Sequence, residues 1–185
     1  MRRIIVTEFV TLDGVMEAPG GEPTHPHTGW VMEGRDEAFF NDAIGEHKHQ
    51  EVVDADAHLL GRVTYESFAG AWPTYEGPMA DRMNSFPKFV VSSTLRDPEW
   101  TNTTVVPDLE AVKELDGTLL VAGSCRLVHS LLLAGLVDEL RLMVFPVSIG
   151  SGLRVFPEER TKLMWKRTAT TDFTTGVRVD TYLPA

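Results

Sequence analysis

Short β-branched-rich runs alternate with helix-like segments through the first two-thirds of this chain, and strand-like runs dominate the last third. That order leaves few architectures. Strand–helix alternation builds parallel neighbours with helical crossovers, and successive strands joined by turns pair antiparallel. A β-branched-rich run predicts a strand at 3–10, a short apolar run one at 57–60, and further strands are expected at 87–92, 103–106 and 118–122. Helices are expected at 35–49, with Phe39, Phe40, Ala43 and Ile44 on one side, at 62–68, after a cap at Asp108, and at 124–134, ended by Gly135. Segments 138–147, 162–171 and 177–183 read as strands, with turns at Gly150-Ser151-Gly152 and near Gly176. The expected fold class is α/β: a mixed, mainly parallel sheet flanked by about four helices, with an antiparallel finish.

The 185 residues predict one domain spanning 1–185, with no repeat or low-complexity tract. Hydrophobic residues make up 43% and charged residues 24%, so the chain can bury a core without staples. Cys125 is the single cysteine, which rules out an internal disulfide and a Cys-cluster metal site. No apolar run approaches the roughly 18 residues of a membrane span. The opening Met1-Arg2-Arg3-Ile4-Ile5-Val6 meets Glu8 and Asp13 too soon for a signal peptide, so a reducing cytoplasm is the expected location. The formal net charge of −10 argues against a general nucleic-acid binder. It does not argue against a phosphate-bearing cofactor, which needs only local donors.

Three predicted strand ends share one chemistry. The first runs into Gly61-Arg62-Val63-Thr64, the second into Ser92-Ser93-Thr94, and the third into Gly123-Ser124. Ligands of open α/β sheets bind outside the carboxyl ends of strands, where helix N-termini favour phosphate and glycine permits close approach. Short strand–helix connections favour the same residues without any ligand, and neither a GxGxxG nor a Walker sequence is present.

The ordered motifs carry a resemblance. Gly61-Arg62-Val63-Thr64-Tyr65-Glu66-Ser67-Phe68 resembles the Gly-Arg-x-Thr-aromatic-Glu-Ser segment of dihydrofolate reductases. Val91-Ser92-Ser93-Thr94-Leu95 resembles their next strand-end segment, and Val121-Ala122-Gly123-Ser124 falls at their Gly-Gly turn. Thr11-Leu12-Asp13-Gly14-Val15, the stretch from Leu131 to Leu142, Pro146 and Gly150-Ser151-Gly152 are similar to riboflavin-biosynthesis reductases. The chain thus resembles the dihydrofolate-reductase-like superfamily, and within it the RibD C-terminal domain family, from about Ile4 to Tyr182.

The resemblance implies an eight-stranded sheet, NADPH as hydride donor, a small-molecule substrate and a homodimer. Gly61, Arg62 and Thr64 would face the adenosine and pyrophosphate phosphates. Ser92, Ser93 and Thr94 would lie near the adenine ribose and its 2′-phosphate, and Gly123 and Ser124 on the pyrophosphate and nicotinamide side. A guanidinium such as Arg62 suits a phosphate dianion, which favours NADP over NAD. The Pro- and Gly-rich loop from Asp13 to Trp30 corresponds to a lid.

Two departures narrow the substrate. Where dihydrofolate reductases carry an Arg that grips the folate glutamate, this chain has Phe86. Where riboflavin reductases often have Lys after Asp-Gly, it has Val15 and Met16. Several residues keep two explanations. Asp36, with Glu37 and Asp42, is either the acid that feeds the substrate a proton or a partner of the helix dipole. Trp30 either stacks on a flat ring or closes the core. Asp13 either touches cofactor or orients a turn. Cys125, at a possible helix start with no His seen nearby, reads better as packing than as a reactive thiol. His25-x-His27 and His47-x-His49 lack the spacing of a metal site, so no metal is expected. The expected activity is NADPH-dependent hydride transfer to a pterin-like or pyrimidine-like C=N or C=O compound. A dinucleotide-binding module without turnover, or a genuine dihydrofolate reductase, is the alternative.

Overall fold

The computed structural model describes residues 1–34, 38–158 and 162–185. Its strands are β1 (Arg3–Thr11), β2 (Ala57–Gly61), β3 (Lys88–Val91), β4 (Thr103–Val106), β5 (Thr118–Val121), β6 (Glu139–Phe145), β7 (Trp165–Asp172) and β8 (Arg178–Pro184). They form one sheet in the order β4-β3-β2-β5-β1-β6-β8-β7. The first six run parallel; β8 pairs antiparallel with β6 and β7 with β8.

Five α-helices lie among the described residues: α1 (Asp42–Val53), α2 (Arg62–Ala71), α3 (Pro78–Ser85), α4 (Leu109–Lys113) and α5 (Cys125–Leu133). The amphipathic α5 buries Leu127, Val128, Leu131 and Leu132 on one sheet face with Ile4, Val6, Leu59, Leu119 and Val121. Each such side chain contributes roughly 1.5–3 kcal/mol by leaving water. The opposite face packs Ile5, Leu60, Val90 and Leu120 against Val52 of α1, Tyr65 of α2 and Met83 of α3.

Two helical expectations need correction. The first helix starts at Asp42 and runs on to Val53, so the expected stretch 38–41 precedes it; residues 35–37 lie outside the described residues. The Asn41 side chain accepts the Ile44 N–H at 3.2 Å, a cap that fixes the start there. Phe39 and Phe40 therefore precede the helix and join a satellite aromatic cluster with Phe9, Trp30 and Phe145. The helix α3 was not anticipated. Its signal was Pro78 just after Gly77, because proline at a first helical position costs no hydrogen bond.

Candidate functional site

The ends of β2 and β5 meet at van der Waals distance. Gly61 N–H donates to Gly123 O at 3.3 Å. A Cβ on Gly61 would overlap Ser124 Oγ, and one on Gly123 would fall 2.6 Å from Thr64 Oγ1. Gly123 also has φ +86°, a left-handed conformation that favours glycine. The Gly123–Ser124 peptide is cis. Among the described residues no side chain caps α2 at Gly61 or α5 at Ser124, whereas Asn41 and Asp108 cap α1 and α4. Two neighbouring helix starts thus leave first-turn N–H groups free of side-chain caps around a cradle too tight for any Cβ. Oxyanions of a pyrophosphate fit that donor set.

The third strand end lies alongside, because Gly61 is in register with Val91. Ser92 Oγ accepts the Leu95 N–H at 2.9 Å and the Thr94 N–H at 3.2 Å, which folds the segment into a turn with Ser93 and Thr94 exposed. Arg62 lies exposed on the first turn of α2, with its guanidinium 3.5 Å from Glu66.

Other predicted residues sit elsewhere. Thr11 Oγ1 donates to the Asp13 carboxylate at 2.6 Å, Gly150 N–H at 2.8 Å and Ile149 N–H at 3.3 Å. These bonds, the Thr11 hydroxyl foremost, pull the Asp13 carboxyl down to about 2. Asp13 therefore locks the end of β1 to the turn after β6, and orienting a turn is the use the structure gives it. Trp30 is wholly buried, edge-on to Phe145 at 5.4 Å, with its indole N–H on Glu17 O at 2.9 Å. It closes the aromatic cluster and presents no open face. Asp36 lies outside the described residues. Cys125 does have a histidine near it: His129, one turn along α5, is 3.4 Å from Sγ. Burial nevertheless pushes the thiol up to about 11, away from thiolate reactivity.

Sequence reasoning missed two polar groups. Glu8 is buried at mid-strand, and its Oε1 accepts the Gly123 N–H at 2.6 Å. On the other face, Lys48 Nζ donates to Glu51 at 2.5 Å and to Thr7 Oγ1 at 2.7 Å, 5.2 Å from the Phe9 ring centre. Arg141 reaches Glu51 at 3.2 Å and Glu139 at 2.6 Å. A charge inside an apolar strand run was the available signal for Glu8. Lys48 and Glu51 gave none, because a Lys three residues before a Glu is usual on a solvated helix.

The chain matches the RibD C-terminal domain family over residues 2–179. It is 27% identical over 186 residues to the uncharacterised protein YyaP of Bacillus subtilis (strain 168), covering 95% of this chain and 92% of that one. Two solved structures share the fold. A putative riboflavin biosynthesis protein from Shewanella sp. PV-4 superposes with TM-score 0.74 at 18% identity, over 99% of each chain. The dihydrofolate reductase of Enterococcus faecalis complexed with NADP(H) gives TM-score 0.59 at 15% identity, over 98% of this chain and 96% of that one.

Proposed function

Since the chain belongs to the RibD C-terminal domain family, a reductase-like family, we propose that it is an NADPH-dependent reductase transferring hydride to a small pterin-like or pyrimidine-like C=N or C=O substrate. One observation carries the cofactor half: the cradle in which Gly61 and Gly123 admit no side chain beside two helix starts without side-chain caps. Its backbone donors and the Thr64 and Ser124 hydroxyls would hold the pyrophosphate. Ser93, Thr94 and Arg62 would take the 2′-phosphate, Arg62 turning from its exposed partner Glu66, a pair worth little to stability. When bound, the reduced nicotinamide supplies the hydride. The chain's own part is to orient it and exclude water. The loop from Asp13 to Trp30 helps by its fastening: Leu153 N–H donates to Glu17 at 2.9 Å, and His25 meets Ser151 at 3.2 Å.

The test is NADPH oxidation, followed by absorbance, over a panel of reducible pterins and pyrimidines. Turnover of one heterocycle with NADPH would support the reading. Cofactor binding without turnover of any would favour a binding module.

We also propose a homodimer. Within the sheet β6 is an interior strand, and Met143 and Phe145 on one side of it are buried against the aromatic cluster. On its other side Leu142 and Val144 stay half-exposed, and β7 is open to solvent along nearly its whole length. A second copy would cover this wing.

A further inference from the structure

Glu8 stands where the sheet opens. The β1–β5 ladder ends at Val6↔Val121, although β1 runs on to Thr11 beside β6. Past that last pair the carboxyl of Glu8 takes the N–H of Gly123, the glycine of the cradle. That bond is its only hydrogen bond among the described residues, and no cation there comes within ion-pair distance of it. The ammonium that pulls on it, on Lys48 of α1, is already bonded to Glu51 and Thr7. Glu51 adds negative charge from the same helix. Cys125 at the start of α5 is a neutral thiol, with Arg126 and Glu17 flanking it.

We propose that Glu8 couples proton uptake to dinucleotide binding: the cradle accepts the pyrophosphate only while the carboxyl bonded to Gly123 is neutral. The proposal rests on the dinucleotide reading of that cradle. A carboxylate has at most one donor here and little water, so charge on it is costly before any ligand arrives. Burial pushes Glu8 up to about 8, against the pull of the Gly123 bond and Lys48. Phosphates docked one hydrogen bond away would add like charge and drive it higher still. Below about pH 8 the free protein already holds the proton and binding is at full strength. Above it, each further pH unit weakens binding by a factor approaching ten, because a proton must be taken up first.

The experiment is NADPH titration by tryptophan fluorescence quenching from about pH 7 to about pH 9.5, on the wild-type protein and Glu8→Gln. The 2′-phosphate, with a second pKa of about 6, is a dianion throughout. Glutamine keeps the acceptor for Gly123 and cannot ionise. Lys88, pushed down to about 8 by burial, stays in both proteins and cancels in the comparison. The proposal expects wild-type Kd to climb steeply above about pH 8 and the variant's to stay flat. Parallel profiles, whether both flat or both rising, overturn it and leave the cofactor reading standing. No NADPH binding by wild-type protein at any pH removes both. Where Glu8→Gln fails to fold, calorimetry near pH 9 in buffers of different ionisation enthalpy, on wild type against Glu8→Leu, reads the difference in proton uptake, in which Lys88 again cancels. A difference approaching one proton per NADPH supports the coupling, and none contradicts it.

Discussion

Thr64 Oγ1 occupies the place a side chain on Gly123 would need, 2.6 Å from its ideal Cβ. The first turn of α2 and the approach to α5 therefore fix each other. Gly123→Ala must either push Thr64 aside or move the turn, at a backbone φ of +86° that alanine resists. A loss of about 1–3 kcal/mol in stability is expected in chemical denaturation. Thr64→Gly in the same chain should return part of it, whereas Thr64→Ser should not.

Arg82 lies over the ring of Phe86, with its guanidinium carbon 4.2 Å from the ring centre, and donates to the Val52 and Ala55 carbonyls at the end of α1. Phe86 itself is wholly buried. The position where the resemblance to dihydrofolate reductases would put a glutamate-gripping arginine is core here, and the nearby Arg82 is committed to backbone. Dihydrofolate should be turned over poorly. A steady-state kcat/KM near about 10⁶ M⁻¹s⁻¹, ordinary for an efficient enzyme, would show otherwise.

His58 is buried in β2, 4.8 Å from the Phe86 ring, and neither ring nitrogen is hydrogen-bonded among the described residues. Burial, with Lys88 nearby, holds its pKa down at about 3. The folded protein keeps this ring neutral while the unfolded chain takes a proton below about 6.5. Stability from this residue is therefore complete above about pH 6.5 and drains away as pH falls toward 3. Denaturation midpoints for His58→Leu should fall less steeply over that range than wild type, by close to one proton's linkage.

Glu51 closes a second acid-sensitive cluster. Burial alone would raise its pKa, but Lys48, Arg141 and Thr7 together hold it below the ordinary glutamate value. Its contribution is present above the unfolded pKa of about 4.3 and is lost as pH falls through the lower folded value. Glu51→Gln should cost about 1.5–3 kcal/mol at neutral pH by leaving the Lys48 ammonium without its carboxylate, while Arg141 keeps Glu139, and the deficit should shrink in acid. Thermal melts at neutral and acid pH check this.

Much of the fold was legible because the strands announce themselves. Ala57–Gly61, Thr103–Val106 and Thr118–Val121 lie within a residue of where short apolar and β-branched runs put them. The first helix begins later than the periodicity of Phe39, Phe40 and Ile44 suggests, because the Asn41 cap overrides that period. In the site, glycine and hydroxyl residues at strand ends could be read in advance because their chemistry is local. Glu8 carries a signal, a charge inside an apolar run, but its partner Gly123 lies 115 residues on, and Glu51 pairs with Arg141 90 residues away, so what these groups do is not local.

Cofactor choice at the Gly61–Gly123 cradle is the central claim, and parallel titrations of the wild-type protein with NADPH and NADH at neutral pH test it most directly. The account predicts saturable quenching by both, with NADPH tighter by about tenfold or more, worth roughly 1–2 kcal/mol of charge-assisted bonding. The gap should narrow in Arg62→Ala. Equal affinities, or no saturable binding of NADPH, would contradict it.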